Sequence, residues 1–371
     1  MKIGYRQNHQ NINNKPPTNY ILLEKDSLME KTPVLVAGMA GASLGSEIIK
    51  SLNLAKNKYQ IYGCDLSPLA YGHYMDGVHA SYVVDRDNYV ENVIKICKKE
   101  DISVVVPGGD EPAVLLGGAK DILEENGLLF AGNTSSVVNV CSHKGHLFEY
   151  LAGHDIVIPQ SWTIQTIEDI ESIHTFPCII KPATNSGGST SVFITQNSDE
   201  LRIYAAYMLN NNMIPIVQEY LPHETGEFTV GVLHSPEGKL VGSIALKRLF
   251  HAKVSIMSKT DSGLISSGYS QGEIHDFPEI RETAEKIASL CGSMGPLNIQ
   301  GRLKDGVFCP FEINPRFSAS TYLRALAGFN EIDMYIDMLL GNEVETHQDI
   351  KYGYYLRSFE EKHVSYQEIR K

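Results

Sequence analysis

The sequence predicts an α/β protein. Its first third should be a parallel sheet with helices on both faces, and the remainder hairpins mixed with helices. Two observations carry this. From Thr32 onward, apolar strands alternate with helical stretches at the spacing of β-α-β units, which builds parallel sheets. Past residue 176, strands come in pairs joined by short glycine-containing turns, which builds antiparallel hairpins. The 371 residues allow two or three domains, and 43% apolar with 20% charged residues is the balance of a globular chain.

A formal charge of −12 argues against a nucleic-acid backbone as partner. No apolar run reaches the length of a membrane span, and MKIGYRQNHQNINNKPP lacks the apolar core of a secretory signal. Six cysteines, at 64, 97, 141, 178, 291 and 309, stand singly without metal-ligand spacing. These features predict reduced, mostly buried thiols in a cytoplasmic protein with neither nucleic acid nor membrane as partner.

Residues 1–31 are polar and Asn-rich, with Pro16-Pro17 as a breaker, and are expected to be a loosely docked extension in which Met29 is a second candidate start. A first domain follows over 32–133. PVLVAG is a strand, GASLGSEIIKSL a helix, YQIYGCD a strand, NYVENVIKICKKE an amphipathic helix and ISVVVPGGD a further strand. The helix EPAVLLGGAKDILEENG and the strand LLFAG complete the unit. The turn Gly38-Met39-Ala40-Gly41-Ala42-Ser43-Leu44-Gly45 lacks the second glycine of the dinucleotide fingerprint, although Asp65 sits where a ribose acid would. Packing alone accounts for such glycines; an NAD site is the other reading.

A helix over 134–155 carries Lys144. The strand CIIKP ends near Lys181, and the loop TNSGGSTS leads into the strand SVFI. A loop of this composition either presents backbone N–H groups to phosphates or is a plain flexible turn. After the helix SDELRIYAAYMLN and the strand IPIVQEYL comes a strand pair turned at Pro236-Glu237-Gly238. Residues 251–272 show no period and are expected to be a long loop near the site. The helix PEIRETAEKIASLCG leads to a hairpin turned at Asp305-Gly306, then to two helices and a polar tail. On that hairpin Glu312 and Asn314 share one strand face and Gln300 sits opposite. One carboxylate and two amides suit a hard cation such as Mg²⁺, with the fixed charge of Arg316 beside it. The alternative is a hairpin whose polar residues face solvent.

Taken in order, these stretches resemble the ATP-grasp superfamily, of the carbamoyl-phosphate-synthase-like, carboxylate–amine-ligase type, over roughly residues 33–340. The most specific match is Asn298-Ile299-Gln300 with Phe311-Glu312-Ile313-Asn314-Pro315-Arg316. The resemblance implies an ATP-grasp fold, in which two α+β subdomains grip ATP behind a Rossmann-like domain. Its parts would be a small lid subdomain over 134–221, a large subdomain over 222–345 and a tail over 346–371. It implies Glu312 and Asn314 as metal ligands with Gln300 a weaker third, for one or two Mg²⁺ ions or Mn²⁺ in their place. Lys144 and Lys181 would reach the nucleotide phosphates under a lid of Ser186, Gly187, Gly188 and Ser189. Glu219, Tyr220 and Leu221 would form the adenine hinge. Glu227 would bind the ribose, with Glu224 its competitor. Lys247, Arg248 and Arg316 would face the transferred phosphoryl group, and Arg324 is a candidate for a substrate carboxylate.

The chemistry so implied is phosphorylation of a small-molecule carboxylate by ATP, release of ADP, and transfer of the acyl group to an amine or similar nucleophile. The chain has about one such unit and no glutaminase constellation, which argues against full carbamoyl-phosphate synthesis. A nucleotide-binding regulatory module without turnover and an NAD-dependent oxidoreductase are the competing readings. A homodimer is the default expectation.

Overall fold

The computed structural model describes residues 31–41, 43–55, 58–183, 191–251, 255–261, 263–346 and 349–370. Its first sheet is built from β1 (Thr32–Ala37), followed by α1 (Leu44–Leu54), β2 (Tyr59–Asp65), β3 (Val78–Val83), α2 (Tyr89–Lys99), β4 (Val104–Pro107), α3 (Asp110–Gly118), α4 (Lys120–Glu125) and β5 (Leu129–Phe130). The order is β3-β2-β1-β4-β5, all parallel, as the strand–helix alternation predicts. The strand β3 was not expected. It lies at the sheet edge, half covered, so VHASYV shows no apolar run. The helix expected over 111–127 is two helices, because Gly117 and Gly118 weaken its middle.

The glycine turn after β1 serves packing. A Cβ on Gly108 would lie 1.9 Å from the Gly38 carbonyl oxygen, so the ends of β1 and β4 approach only as glycines. Asp65 accepts the N–H of Met39 at 2.6 Å and of Ser67 at 2.9 Å, holding that turn instead of presenting itself to a ribose.

Two helices, α5 (Ser135–Ser142) and α6 (Lys144–Ala152), replace the single one expected, with the break at His143. They precede a small antiparallel sheet of β6 (Ser161–Thr163), β7 (Cys178–Pro182), β8 (Phe193–Thr195) and, after α7 (Ser198–Asn210), β9 (Pro215–Glu219), in the order β6-β9-β7-β8. The expected lid of Ser186, Gly187, Gly188 and Ser189 lies outside the described residues.

The large sheet takes β10 (Glu227–His234) and β11 (Leu240–Leu249). The stretch expected as a loop forms a hairpin, β12 (Ile256–Thr260) and β13 (Gly263–Ser266), and then β14 (Gln271–Ile274). Only β14 joins the large sheet; the hairpin is a separate two-stranded unit, and its mixed polarity hides both from pattern reading. Next come α8 (Pro278–Leu290), β15 (Pro296–Lys304), β16 (Val307–Asn314), α9 (Thr321–Leu326), α10 (Glu331–Leu339) and β17 (Gly353–Tyr355). The antiparallel order is β16-β15-β10-β11-β14-β17, so the tail closes the far edge of this sheet rather than hanging free of it. Asp305 and Gly306 take φ of 52° and 83°, the left-handed pair that a two-residue hairpin turn demands. All six cysteines are free and buried. Among the described residues no helix is long and apolar enough to cross a membrane.

Candidate functional site

Where the small sheet faces the large one, a cleft opens between Lys144, Lys181, the stretch 218–221, the β13 residues 264–266 and the strands carrying Gln300 and Glu312. Each side chain is placed by its element. Lys144 opens α6, which Leu147, Phe148 and Leu151 fasten into the core under the large sheet. Lys181 sits near the end of β7, and the hinge stretch continues β9. Gln300 lies directly opposite Glu312 on β15 and β16, and Asn298 opposite Asn314.

Lys181 is 7% exposed, and its ammonium donates to Gln218 Oε1 at 2.9 Å and to the Phe311 carbonyl at 3.0 Å. Burial, reinforced by the Lys144 charge and only partly offset by Glu312, pulls its pKa down to about 7. Burial likewise lowers that of Lys144. Two cations destabilised in one cleft are a stored demand for an anion. Gln300 Nε2 donates to Glu312 Oε2 at 3.0 Å, and Asn314 Nδ2 is buried with no partner among the described residues. Arg316 donates from Nε to Asp110 Oδ1 at 2.7 Å and so ties the end of these strands to α3. That guanidinium, with Lys144 behind it, holds the Asp110 carboxyl below the usual carboxylate range.

Several expected contributors take other places. Glu227 is fully buried, with Arg248 Nη1 at 2.9 Å from one oxygen and Arg302 Nη2 at 2.7 Å from the other, so its carboxylate is occupied inside the protein and is not presented to a ribose. Burial alone would raise that carboxyl, but Arg248 and Arg302 keep it below its usual value. Its competitor Glu224 is largely exposed beside His223. Arg248 is turned inward with it, also donating to the Ser267 carbonyl at 3.1 Å; Lys247, next in the strand and half-buried, is the more available cation. Arg324 is 0% exposed, paired with Glu331 at 3.1 Å and bonded to Asn298 Oδ1 at 2.7 Å, so it is part of the core and lines no open surface. The Glu219 carboxylate turns to Lys304 at 2.6 Å. The Leu221 carbonyl accepts from Arg302 Nη1 at 2.5 Å.

Arg302 was missed by pattern reading and is central. Besides Glu227 and Leu221 it holds the Leu264 carbonyl at 2.8 Å and stacks over Tyr220, with its guanidinium carbon 5.1 Å from the ring centroid. Tyr220 in turn accepts the Leu264 N–H at 2.8 Å, so hinge and hairpin are fastened together over the cleft. The available signal was its spacing: Arg302 follows Gln300 by two, on the same face of β15.

A cleft between a small antiparallel sheet and a large one, with Lys181 on the small sheet, Lys144 on α6 and Glu312 on the large sheet, defines the class of fold. Residues 212–362 match the family model described as ATP-grasp in the biosynthetic pathway with Ter operon. A D-alanine–D-alanine ligase of Pseudothermotoga lettingae is 26% identical over 201 residues, covering 53% of this chain and 65% of that protein. The carbamoyl phosphate synthase large chain of Clostridium botulinum is 25% identical over 273 residues, covering 71% of this chain and 24% of that protein. The match thus spans less than two thirds of either relative. The biotin carboxylase of Campylobacter jejuni superposes with a TM-score of 0.64 at 16% identity, over 87% of this chain and 74% of that one. The chain thus has the ATP-grasp fold, and the family match itself lies within residues 212–362.

Proposed function

We propose that this protein is an ATP-dependent, ADP-forming ligase that phosphorylates a small-molecule carboxylate and transfers the acyl group to an amine or similar nucleophile. The observation that carries this reading is one cleft holding two cations depressed by burial, Lys181 and Lys144, opposite the Gln300–Glu312 pair. The matched D-alanine–D-alanine ligase supports the ligase class.

The residues fit one Mg²⁺. Glu312 supplies a carboxylate and Asn314, two residues on along the same strand face, an amide oxygen. Among the described residues no group of three His, Cys, Asp or Glu gathers to hold a metal, so phosphate oxygens and water would complete the shell. Bound there, Mg²⁺ would neutralise charge on the transferred phosphoryl group. Gln300, which donates to Glu312, would orient that acid more than bind the metal itself. Lys181 and Lys144 would hold the phosphates, and the Leu221 N–H with the Tyr220 backbone would meet the adenine. Arg316, fixed by Asp110, would stand at the reacting end, with Lys247 across from it. The β12–β13 hairpin, fastened by Tyr220 and Arg302, would keep water from the acyl phosphate.

ADP release measured over carboxylates crossed with amines tests the reading. ADP and phosphate should appear only with a matched pair. AMP and pyrophosphate as products would overturn phosphoryl transfer to the acid, and nucleotide binding without turnover on any pair would indicate a regulatory module.

A further inference from the structure

At the carboxyl ends of β1, β2 and β4 a second cavity opens, walled by the turns after these strands and by the start of α3. The sheet order β3-β2-β1-β4-β5 puts it where the windings part: the chain leaves β1 toward β2 and leaves β4 toward β5. Loops diverge at such a point, and parallel sheets take ligands in the crevice this creates. Asp110 lines the crevice and also accepts from Arg316, just past the end of β16, at 2.7 Å. The charge of Lys144, which lines the cleft of Lys181 and Glu312, acts on the same carboxyl. Crevice and cleft therefore meet at Asp110.

Three carboxylates line the crevice, those of Asp65, Asp110 and Glu111, against the one guanidinium of Arg86. Arg86 is bonded to Glu111 at 3.0 Å, with both side chains largely exposed, and Asp110 is met by Arg316. Asp65 has no cation paired with it among the described residues. Its two oxygens accept the Met39 and Ser67 N–H groups, which fix the carboxylate without neutralising it, and each oxygen keeps a lone pair for a further donor. Beside these acids the wall is apolar. Leu66, Pro112 and Leu115 line it, and the two leucines stay 38% and 36% exposed.

A carboxylate or phosphate brought here would meet three like charges, whereas an ammonium meets the one left unpaired. An apolar body attached to that ammonium would take the leucines out of water. We propose that this crevice holds the nucleophile of the ligase reaction, and that the nucleophile is an amine bearing an apolar group. Its ammonium lies toward Asp65 and Asp110 and its apolar body along Leu66 and Leu115. This rests on the ligase reading above and narrows it to one class of acceptor. In the transfer the amine nitrogen bonds the acyl carbon, and the C–O bond to phosphate breaks with its electron pair on phosphate. Of the ammonium's three protons one stays on the amide, one leaves on the inorganic phosphate and one passes to solvent.

Calorimetric titration of the full chain with phenethylamine, ethylamine and 3-phenylpropionate, with and without a non-hydrolysable ATP analogue, tests it. Phenethylamine should bind at least about tenfold tighter than either of the others. Leu66→Ser and Leu115→Ser should each weaken phenethylamine several-fold and leave the thermal midpoint of the unliganded chain in place, since both leucines already face solvent. A merely structural leucine would show the opposite pattern. Equal binding of the three compounds, binding of none, tighter binding of 3-phenylpropionate, or leucine variants with unchanged affinity would overturn the proposal. Failure of the ligase reading shows separately, as amines that bind in this order but release no ADP from ATP with any carboxylic acid.

Discussion

Lys181 carries its charge on two neutral oxygens, and its chemistry follows from that. In the unfolded chain its ammonium would titrate at an ordinary 10.5; in the folded one burial brings this to about 7. Between those values the folded state binds fewer protons than the unfolded state, so this group's contribution to stability rises with pH across the window. Below about 7 both states are protonated and the cost of burying the charge is fully present. A triphosphate reverses the balance by giving the ammonium a counter-charge. ATP binding at pH 8 should therefore take up a proton, seen as an apparent binding enthalpy that varies with the ionisation heat of the buffer. Lys181→Met should remove that dependence and lower kcat/KM about a hundredfold, the effect of about 3 kcal/mol. Gln300 supports a second test. Gln300→Glu would place a carboxylate where an amide now lies 3.0 Å from Glu312. Repulsion should lower the thermal midpoint in EDTA, and Mg²⁺ should restore it by more than in the parent; equal midpoints in EDTA would count against metal coordination at this pair.

At the scale of the element, the strands β10, β11 and β15 are joined by a buried triad, Arg248–Glu227–Arg302. Removing the central acid strands two buried guanidiniums, so Glu227→Ala should destabilise the fold by about 3–5 kcal/mol. A ribose contact would instead raise the KM for ATP at unchanged stability, and denaturation beside kinetics separates the two. This triad also shows where sequence reading stops. The Asp-Gly turn, the Gln300–Glu312 register and the Lys181 strand could be read because their signals are local: a turn type, an alternation, an apolar run. Glu227 stands in a local pattern equally suggestive of a ribose acid, and only the long-range partner Arg302, 75 residues away, reveals its occupation. Arg324 misled for the same reason, because its partners Thr229 and Asn298 come from strands remote in sequence. The β12–β13 hairpin was hidden differently. It is a small two-stranded unit in which most of the first strand faces solvent, so no alternation marks it.

On the scale of the whole molecule, the parallel sheet and the large sheet are joined by ion pairs across the chain. Lys58 reaches Asp333 at 2.8 Å and Asp337 at 2.5 Å, while Arg316 reaches Asp110. The deepest of these joints is made by the tail. Arg357, past the last strand, meets Glu47 of α1 at 2.6 Å, with both side chains nearly inaccessible. It also lies over the Tyr269 ring at 4.2 Å and holds the turn that leads from β16 into α9. A buried pair of this kind stabilises little relative to two apolar residues but penalises the loss of one member heavily. Burial already raises the Glu47 carboxyl against the pull of Arg357, which shows the desolvation that the pair has to offset. Glu47→Leu and Arg357→Met should therefore each lower the thermal midpoint by several degrees, while the double variant recovers much of the loss. Additive losses in the double variant would mean that Arg357 stabilises through Tyr269 and the Ala319 carbonyl alone.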